Sequence, residues 1–415
     1  MSADPSTPSS DVPGTTAAAS TGRPPAVLQV LPALVTGGVE RGTVEIAQAL
    51  VKAGWRAVVT SSGGAMVREI ERAGGTHITL PLKTKSPFGI RRNIRHLAEL
   101  IERENIDLVH ARSRAPAWSA YFAARRTGRP FMTTFHNVYG GKGRLKRWYN
   151  SIMARGARVI AISEFVGRAA TKIYGVEQDR LRVIPRGVDL SRFDPETVHP
   201  SRLVQLAKEW QLKDGLPVIM LPGRVTRWKG HVDLLHAAQR LPHRDFQVVF
   251  VGDHEQKPGF RDELIKLVKQ LGLQGHVQLV GDCRDMAAAF MLADVVVSAS
   301  TEPEGFGRVA VEAQAMGRPV VATDHGGSRE TVLPGITGWL VPPGDRGELA
   351  RAVGEALALS PAARAEMAAS ARALMVRHFD TKLMCTATLS VYTEILFPDH
   401  HAEQLAEPAL EGALG

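Results

Sequence analysis

From Pro25 onward, short apolar runs alternate with stretches whose apolar residues recur every three or four positions. A short apolar run bounded by turn formers reads as a buried strand, and a 3.6-residue recurrence reads as a helix with one face inward. Residues 26–31 therefore predict a strand, and residues 39–53, with Val44, Ala47 and Leu50 on one face, predict a helix. Further strands are expected at 56–60, 77–80, 107–110, 131–135 and 158–162, with helices at 66–73 and 90–102. The run 181–185 closes this set. Residues 187–216 hold no strong strand, as a linker would, and the pattern then restarts. Strands are expected at 217–221, 246–251, 277–280, 295–298 and 319–322, with a helix at 259–271. Ala-rich helices follow at 346–357 and 362–378, and another at 381–396.

Such alternation argues for βα units and parallel sheets, here two consecutive open α/β domains. Ligands in these sheets bind beyond the carboxyl ends of the strands, so the expected site is a cleft between the domains. The length of 415 residues agrees with two or three domains at roughly 100–200 residues each. Residues 1–23, rich in Ser, Thr, Pro and Ala, read as a disordered tail and not as a signal peptide. No apolar run reaches the roughly 18–20 residues of a spanning helix. Two cysteines, Cys283 and Cys385, suit a reducing compartment and no disulfide framework, and the expected location is cytoplasmic.

Charge is uneven. The net charge is +9, but residues 22–190 carry 28 Lys and Arg against 12 Asp and Glu, while residues 191–415 carry 23 against 28. A basic first half implies an acidic partner: a phosphorylated substrate, an anionic membrane surface or nucleic acid. The run Arg144, Lys146, Arg147, preceded by Lys142 and followed by Trp148 and Tyr149, suits a lipid headgroup surface or nucleic acid equally, or a solvated helix face. No zinc-finger, RNA-recognition or helix-turn-helix signature is present, so no nucleic-acid partner is expected.

Three segments could carry chemistry. Gly37-Gly38-Val39-Glu40-Arg41 lies between the first strand and its helix. Glycines there allow close backbone approach to a ligand, and the helix start offers free amides to a phosphate; the pair is equally a packing device. Gly223-Arg224 through Lys229-Gly230 follows the strand that opens the second half. Two fixed cations there can neutralise a departing diphosphate, whereas Arg227 between them reads as surface. The third segment runs from Ser300 to Glu312 and includes Glu304-Gly305-Phe306-Gly307-Arg308. Were the eight steps from Glu304 to Glu312 helical, they would span roughly 12 Å, too far for a glycosidase carboxylate pair at roughly 5–9.5 Å. The two acids are expected to grip different parts of one long ligand, with sugar and ribose hydroxyls as donors. Amides near Phe306 and Gly307 open a helix and could meet a phosphate. His136 ends the strand 131–135 at the carboxyl edge, where a polar contact to substrate is expected; His110 and Arg112 read similarly. The turn Gly326-Gly327 with Glu330 reads as structural.

Taken together, GGVER, GRVTRWKG, EGFGRVAVE, the DHGGSRE turn and GITGWLVPPGD give a chain that resembles the retaining glycosyltransferases of family 4, which have the GT-B fold. The likeness runs from Val27 to Phe397. It implies two Rossmann-like domains facing each other across a cleft, and a final helix crossing back to the first domain. The domains would be 24–190 and 217–378, joined by a linker at 191–216, with the returning helix at 379–397 and a flexible tail at 398–415. The resemblance implies that Arg224 and Lys229 clamp a diphosphate, that Glu312 binds ribose hydroxyls and that Glu304 contacts the donor sugar. It also implies that Gly38 approaches the phosphate, that His136 lies near the transferred sugar, and that neither metal nor cofactor is needed. The donor-binding set is expected to comprise Gly37, Gly38, Glu312, Phe306, Gly307 and Arg308, and the catalytic set Arg224, Lys229, Glu304 and His136. One departure is visible: the family's usual Asn-Gly-Val-Asp is here Arg186-Gly187-Val188-Asp189.

These implications make a nucleotide-sugar donor and a saccharide or lipid-linked acceptor the expected partners, in lipopolysaccharide, exopolysaccharide or glycolipid synthesis. Attachment to the inner face of the cytoplasmic membrane would follow from the basic half. The competing readings are a nucleotide-sugar 2-epimerase of the same fold and a non-enzymatic polyanion binder.

Overall fold

The computed structural model describes residues 22–35, 37–84, 86–140, 143–255 and 257–399. The tails expected at 1–23 and 398–415 lie largely outside these residues. Arg23, assigned to the first tail, is held by Asp107 through a two-pronged ion pair at 2.6 and 2.9 Å.

The chain divides into two units. The first comprises the residues up to Ile162, Gly167–Ile184 and the chain from Met384; the second comprises Ser163–Val166 and Pro185–Leu383. The first unit is built on a sheet of seven parallel strands: β1 (Ala26–Val30), β2 (Arg56–Ser61), β3 (Thr76–Thr79), β4 (Leu108–Ala111), β5 (Phe131–Phe135), β6 (Val159–Ala161) and β7 (Leu181–Val183). They lie in the order β3-β2-β1-β4-β5-β6-β7. The second unit holds six: β8 (Val218–Pro222), β9 (Gln247–Val251), β10 (Val277–Gly281), β11 (Val295–Ser298), β12 (Val320–Thr323) and β13 (Gly338–Val341), in the order β10-β9-β8-β11-β12-β13. Strands such as β1, β8 and β11 are buried along their whole length, because helices cover a parallel sheet on both faces. In each sheet the strand order reverses once, between β1 and β4 in the first and between β8 and β11 in the second. A doubly wound sheet opens its crevice at that reversal.

Most predicted elements are present with ends shifted by a few residues, as at Gly38–Lys52 and Pro87–Arg103. The segment expected to be a linker contains the helix Pro200–Glu209, which belongs to the second unit. Its Arg202 grips Asp285 at 2.6 Å. The strand β13 went unpredicted, since GWLV offers four residues with no alternation.

The helix Thr381–Leu396 begins in the second unit and continues in the first. Its Met384, Leu389, Val391 and Tyr392 join the first unit's core with Val27, Leu31, Val44 and Leu108. Glu394 near its end takes Arg158 at 2.7 Å and also Arg182. Burial alone would raise that carboxyl's pKa, and the two guanidinium groups overcome it, leaving Glu394 below its usual range.

Candidate functional site

The six-stranded sheet presents two loops at its reversal point. The first leaves β8 through Gly223, whose φ of 138° excludes a side chain. It passes Arg224, which is exposed, and makes a single 3-10 turn at Arg227–Lys229. It ends at Gly230 (φ 79°), where the helix His231–Gln239 begins. The second leaves β11 through Ala299 and ends at Gly307 (φ 86°), where the helix Arg308–Ala315 begins. The loops meet through backbone: a Cβ at Gly230 would land on the carbonyl of Ala299. Glycine at 230 is thus required twice, by its dihedral and by this approach.

That contact brings Lys229 to Glu304. The ammonium lies 2.7 Å from Oε1, with the two side chains 12% and 15% exposed. Ser300, fully buried, donates to the same oxygen. Glu304 Oε2 has no hydrogen-bond partner among the described residues. The Lys229 ammonium also rides 4.5 Å over the Trp228 ring. A few residues on, Arg308 holds Glu312 at 2.9 Å, one helical turn away on the same face. Because this helix starts at Arg308, the path from Glu304 to Glu312 is helical over its second half alone, and the roughly 12 Å span expected of a full helix does not apply.

The second loop is shaped from behind. A Cβ at Gly327 would press on Phe306, and one at Gly326 on the carbonyl of Glu304. The Gly327 amide donates to that carbonyl at 2.9 Å. Thr323 Oγ1 and His325 Nε2 donate to the carbonyl of Ser300 at 2.9 and 2.8 Å. Phe306 itself is buried, 5.7 Å from the Phe379 ring. The Gly326-Gly327 turn therefore supports the acid-bearing loop. Glu330 accepts the amides of Glu164 and Phe165, capping the start of another helix. Arg227 pairs with Glu263 at the exposed surface.

His231, directly after Gly230, is fully buried and meets Phe250 edge-on with ring centroids 4.9 Å apart. Burial pushes its pKa down to about 4, so it is neutral at pH 7. It packs between Phe250 and Phe260 at the start of the helix that follows the first loop.

In the first unit, Gly37 (φ 151°) caps the helix Gly38–Lys52, close under the Glu40 carboxylate. His136 is half-buried directly after β5, and its amide donates to Tyr139 Oη at 3.4 Å. The Arg114 guanidinium lies 4.1 Å over the Tyr139 ring. His110 and Arg112 overturn their expectation as substrate contacts. His110 is fully buried, its ring nitrogens each 2.7 Å from Tyr392 Oη and Thr134 Oγ1. Burial holds its pKa well below the usual histidine range. Arg112 is buried beside Tyr392 and Glu45, and the loss of hydration lowers its pKa.

The second unit thus brings Arg224, Lys229, Glu304, Phe306, Gly307, Arg308 and Glu312 onto two touching loops and the helix that follows. Gly37, Gly38 and His136 lie in the other unit. Sequence reasoning missed Ser300 as the partner of Glu304. The signal was a buried-strand end with a hydroxyl four residues before the acid.

Two family models cover most of the chain: Glycosyltransferase Family 4 at residues 36–192, and Glycosyl transferases group 1 at residues 205–374. The chain is 32% identical over 310 residues to the D-inositol 3-phosphate glycosyltransferase of Xylanimonas cellulosilytica, covering 69% of this chain and 72% of that protein. The chain belongs to the family 4 glycosyltransferases. A crystal structure of a glycosyltransferase from Rickettsia africae matches this glycosyltransferase with a TM-score of 0.84 and 39% identity, covering 90% of this chain and 99% of that one. Anabaena HepE, solved in complex with UDP and glucose, shares its GT-B fold with a TM-score of 0.78 at 23% identity, covering 89% and 99% of the two chains.

Proposed function

We propose that this glycosyltransferase moves a sugar from a nucleoside-diphosphate sugar to an acceptor hydroxyl with retention of anomeric configuration. The observation that carries the proposal is the meeting of Lys229, Ser300 and Glu304 where two loops touch at the strand-order reversal. An ammonium and a carboxylate side by side match a ligand that carries both a diphosphate and hydroxyls. HepE, which shares the fold, was solved with UDP-glucose bound. Lys229 and Glu304 neutralise one another, and an incoming diphosphate competes for the ammonium. Lys229 then turns to the phosphate oxygens, and Glu304 accepts from sugar hydroxyls. Glu312 takes the ribose hydroxyls, and the amides at Phe306, Gly307 and Arg308 face the phosphates at a helix start.

In the reaction, the acceptor oxygen bonds to the anomeric carbon on the face from which the diphosphate leaves. The bond from that carbon to the phosphate oxygen breaks, and the acceptor proton passes to that oxygen. Lys229 and Arg224 stabilise the charge that builds there, so the reading calls for no metal or cofactor. In the first unit the proposal assigns substrate contact to the Gly38 amide, the Gly37 turn and His136. The acceptor is a saccharide or a lipid-linked sugar chain of the lipopolysaccharide, exopolysaccharide or glycolipid type.

A thermal-shift panel of nucleoside diphosphates and their sugars tests the donor assignment. One nucleotide series should raise the melting temperature, and Glu312→Ala should abolish the shift. No shift with any nucleotide overturns the proposal.

A further inference from the structure

The first unit carries a feature that glycosyl transfer does not use. Between Asp107 and Glu164 the chain has no acidic residue and eleven Lys and Arg. Within that stretch lies the helix Arg144–Asn150, reading RLKRWYN, with Arg144, Lys146 and Arg147 exposed. Exposed among them are two large apolar side chains, Leu145 at 84% and Trp148 at 59%. Trp148 stacks on Trp118 with ring centroids 4.7 Å apart, and Trp118 stacks in turn on half-exposed Phe122. Trp118 lies in the helix Arg114–Arg126, which packs on the helix Pro87–Arg103; Ser119, its neighbour, donates to the Ile90 carbonyl. In the same helical turn as Ile90 stands Phe88, 86% exposed, followed by exposed Arg91 and Arg92.

We propose that this face docks the enzyme on an anionic lipid bilayer, with Phe88, Leu145 and Trp148 entering the headgroup boundary and the surrounding arginines and lysine meeting lipid phosphates. Phe88 and Leu145 are the two most exposed large apolar side chains among the described residues, and both sit among cations. Phosphates of a bilayer satisfy the cations, and its acyl boundary satisfies the apolar tips. Each basic residue near such a surface contributes about 1 kcal/mol, so the three on this short helix supply part of a reversible attachment and the apolar tips add the rest. Nucleic acid would satisfy the charges and leave Phe88 and Leu145 in water. The inference stands apart from the donor chemistry and holds whatever sugar is moved.

The test is cosedimentation of the full chain with vesicles of phosphatidylcholine alone or with a third phosphatidylglycerol, at low and high salt. Binding is expected to the anionic vesicles alone and to weaken with salt. The double variant Phe88→Ser/Leu145→Ser should lower partition about tenfold. Its near-complete exposure at both positions leaves the fold intact, checked by an unchanged melting temperature and unchanged nucleotide binding. Arg144→Glu/Arg147→Glu should abolish binding. Equal binding to neutral and anionic vesicles, or a double variant that binds as the parent does, overturns the proposal. So does a lipid-free dimer that Leu145→Ser dissociates, which would assign the face to a second copy. A gel shift with RNA stronger than vesicle binding, unaffected by the double variant, overturns it as well. Loss of transfer with vesicle binding retained would strike the donor assignment and leave this one standing.

Discussion

The carboxyl edges of the two sheets hold cations in opposite ways. At the end of β4, the cation Arg112 and the neutral His110 before it are sealed inside the first unit, faced or bound by Tyr392 from the last helix. After β8, Lys229 keeps part of its surface and pairs with an acid from the neighbouring loop, while Arg224 is open. A basic residue at a strand end is therefore not in itself a binding group; what covers it decides. Where a helix from the far end of the chain closes the edge, the polar residues hold the fold. Where glycine-bearing loops leave the edge open, they are available for a ligand.

The sharpest way to break this contrast is to remove one cation from each edge. Lys229→Met should lower transfer by about 10²–10³, the size expected when a charge-stabilising donor is lost, and Arg224→Ala should act in the same direction with an unchanged melting temperature. Arg112→Met should do the reverse: thermal denaturation should show a loss of about 1–3 kcal/mol, with transfer per folded molecule retained. If Arg112→Met abolishes turnover in folded protein, the contrast fails. Next in size is Gly230→Ala. The added Cβ meets Ala299 and strains a left-handed turn, so chemical denaturation should show about 3 kcal/mol lost; an unaltered midpoint would mean that the two loops do not depend on their backbone contact.

A pH series sharpens the comparison further. His231 is neutral when folded, with a pKa of about 4 against the ordinary 6.5. As pH falls below 6.5 the unfolded chain gains a proton before the folded one, so stability is full above that point and declines toward pH 4. At pH 5.5 this group alone should cost on the order of 1 kcal/mol relative to pH 7.5. His110 adds to it in the same direction. His231→Asn should flatten the slope, as melting temperatures at the two pH values will show. The smallest expected effect belongs to Ser300→Ala. Loss of its hydrogen bond should reduce kcat about fivefold, near 1 kcal/mol, with little change in the melting temperature, because Lys229 still holds the same oxygen.

Much of this is legible in the sequence. The apolar runs at β1, β8 and β11 are short, uninterrupted and bounded by turn formers, so they announce a parallel sheet by themselves. The loops of the second unit were legible because their glycines and charges stand within a few residues of a strand end. The fate of His110 was not, since its partner Tyr392 is 282 positions away and no local pattern links them. The partnership of Lys229 with Glu304 likewise spans 75 positions and depends on which strands are neighbours. The helix Pro200–Glu209 was hidden by a charged, weakly apolar sequence whose support comes from Asp285.

The second unit is, apart from four residues, a single insertion in the chain, running from Pro185 to Leu383. Its ends are stitched together: Val188 exchanges backbone hydrogen bonds with Phe379 and Thr381 at 2.7 and 3.0 Å, and Gly187 has no Cβ to push Thr381 away. A stretch of polypeptide whose entry and exit coincide can be excised and replaced with two cuts and no new linker. Recombination between relatives would thus exchange this half as one cassette.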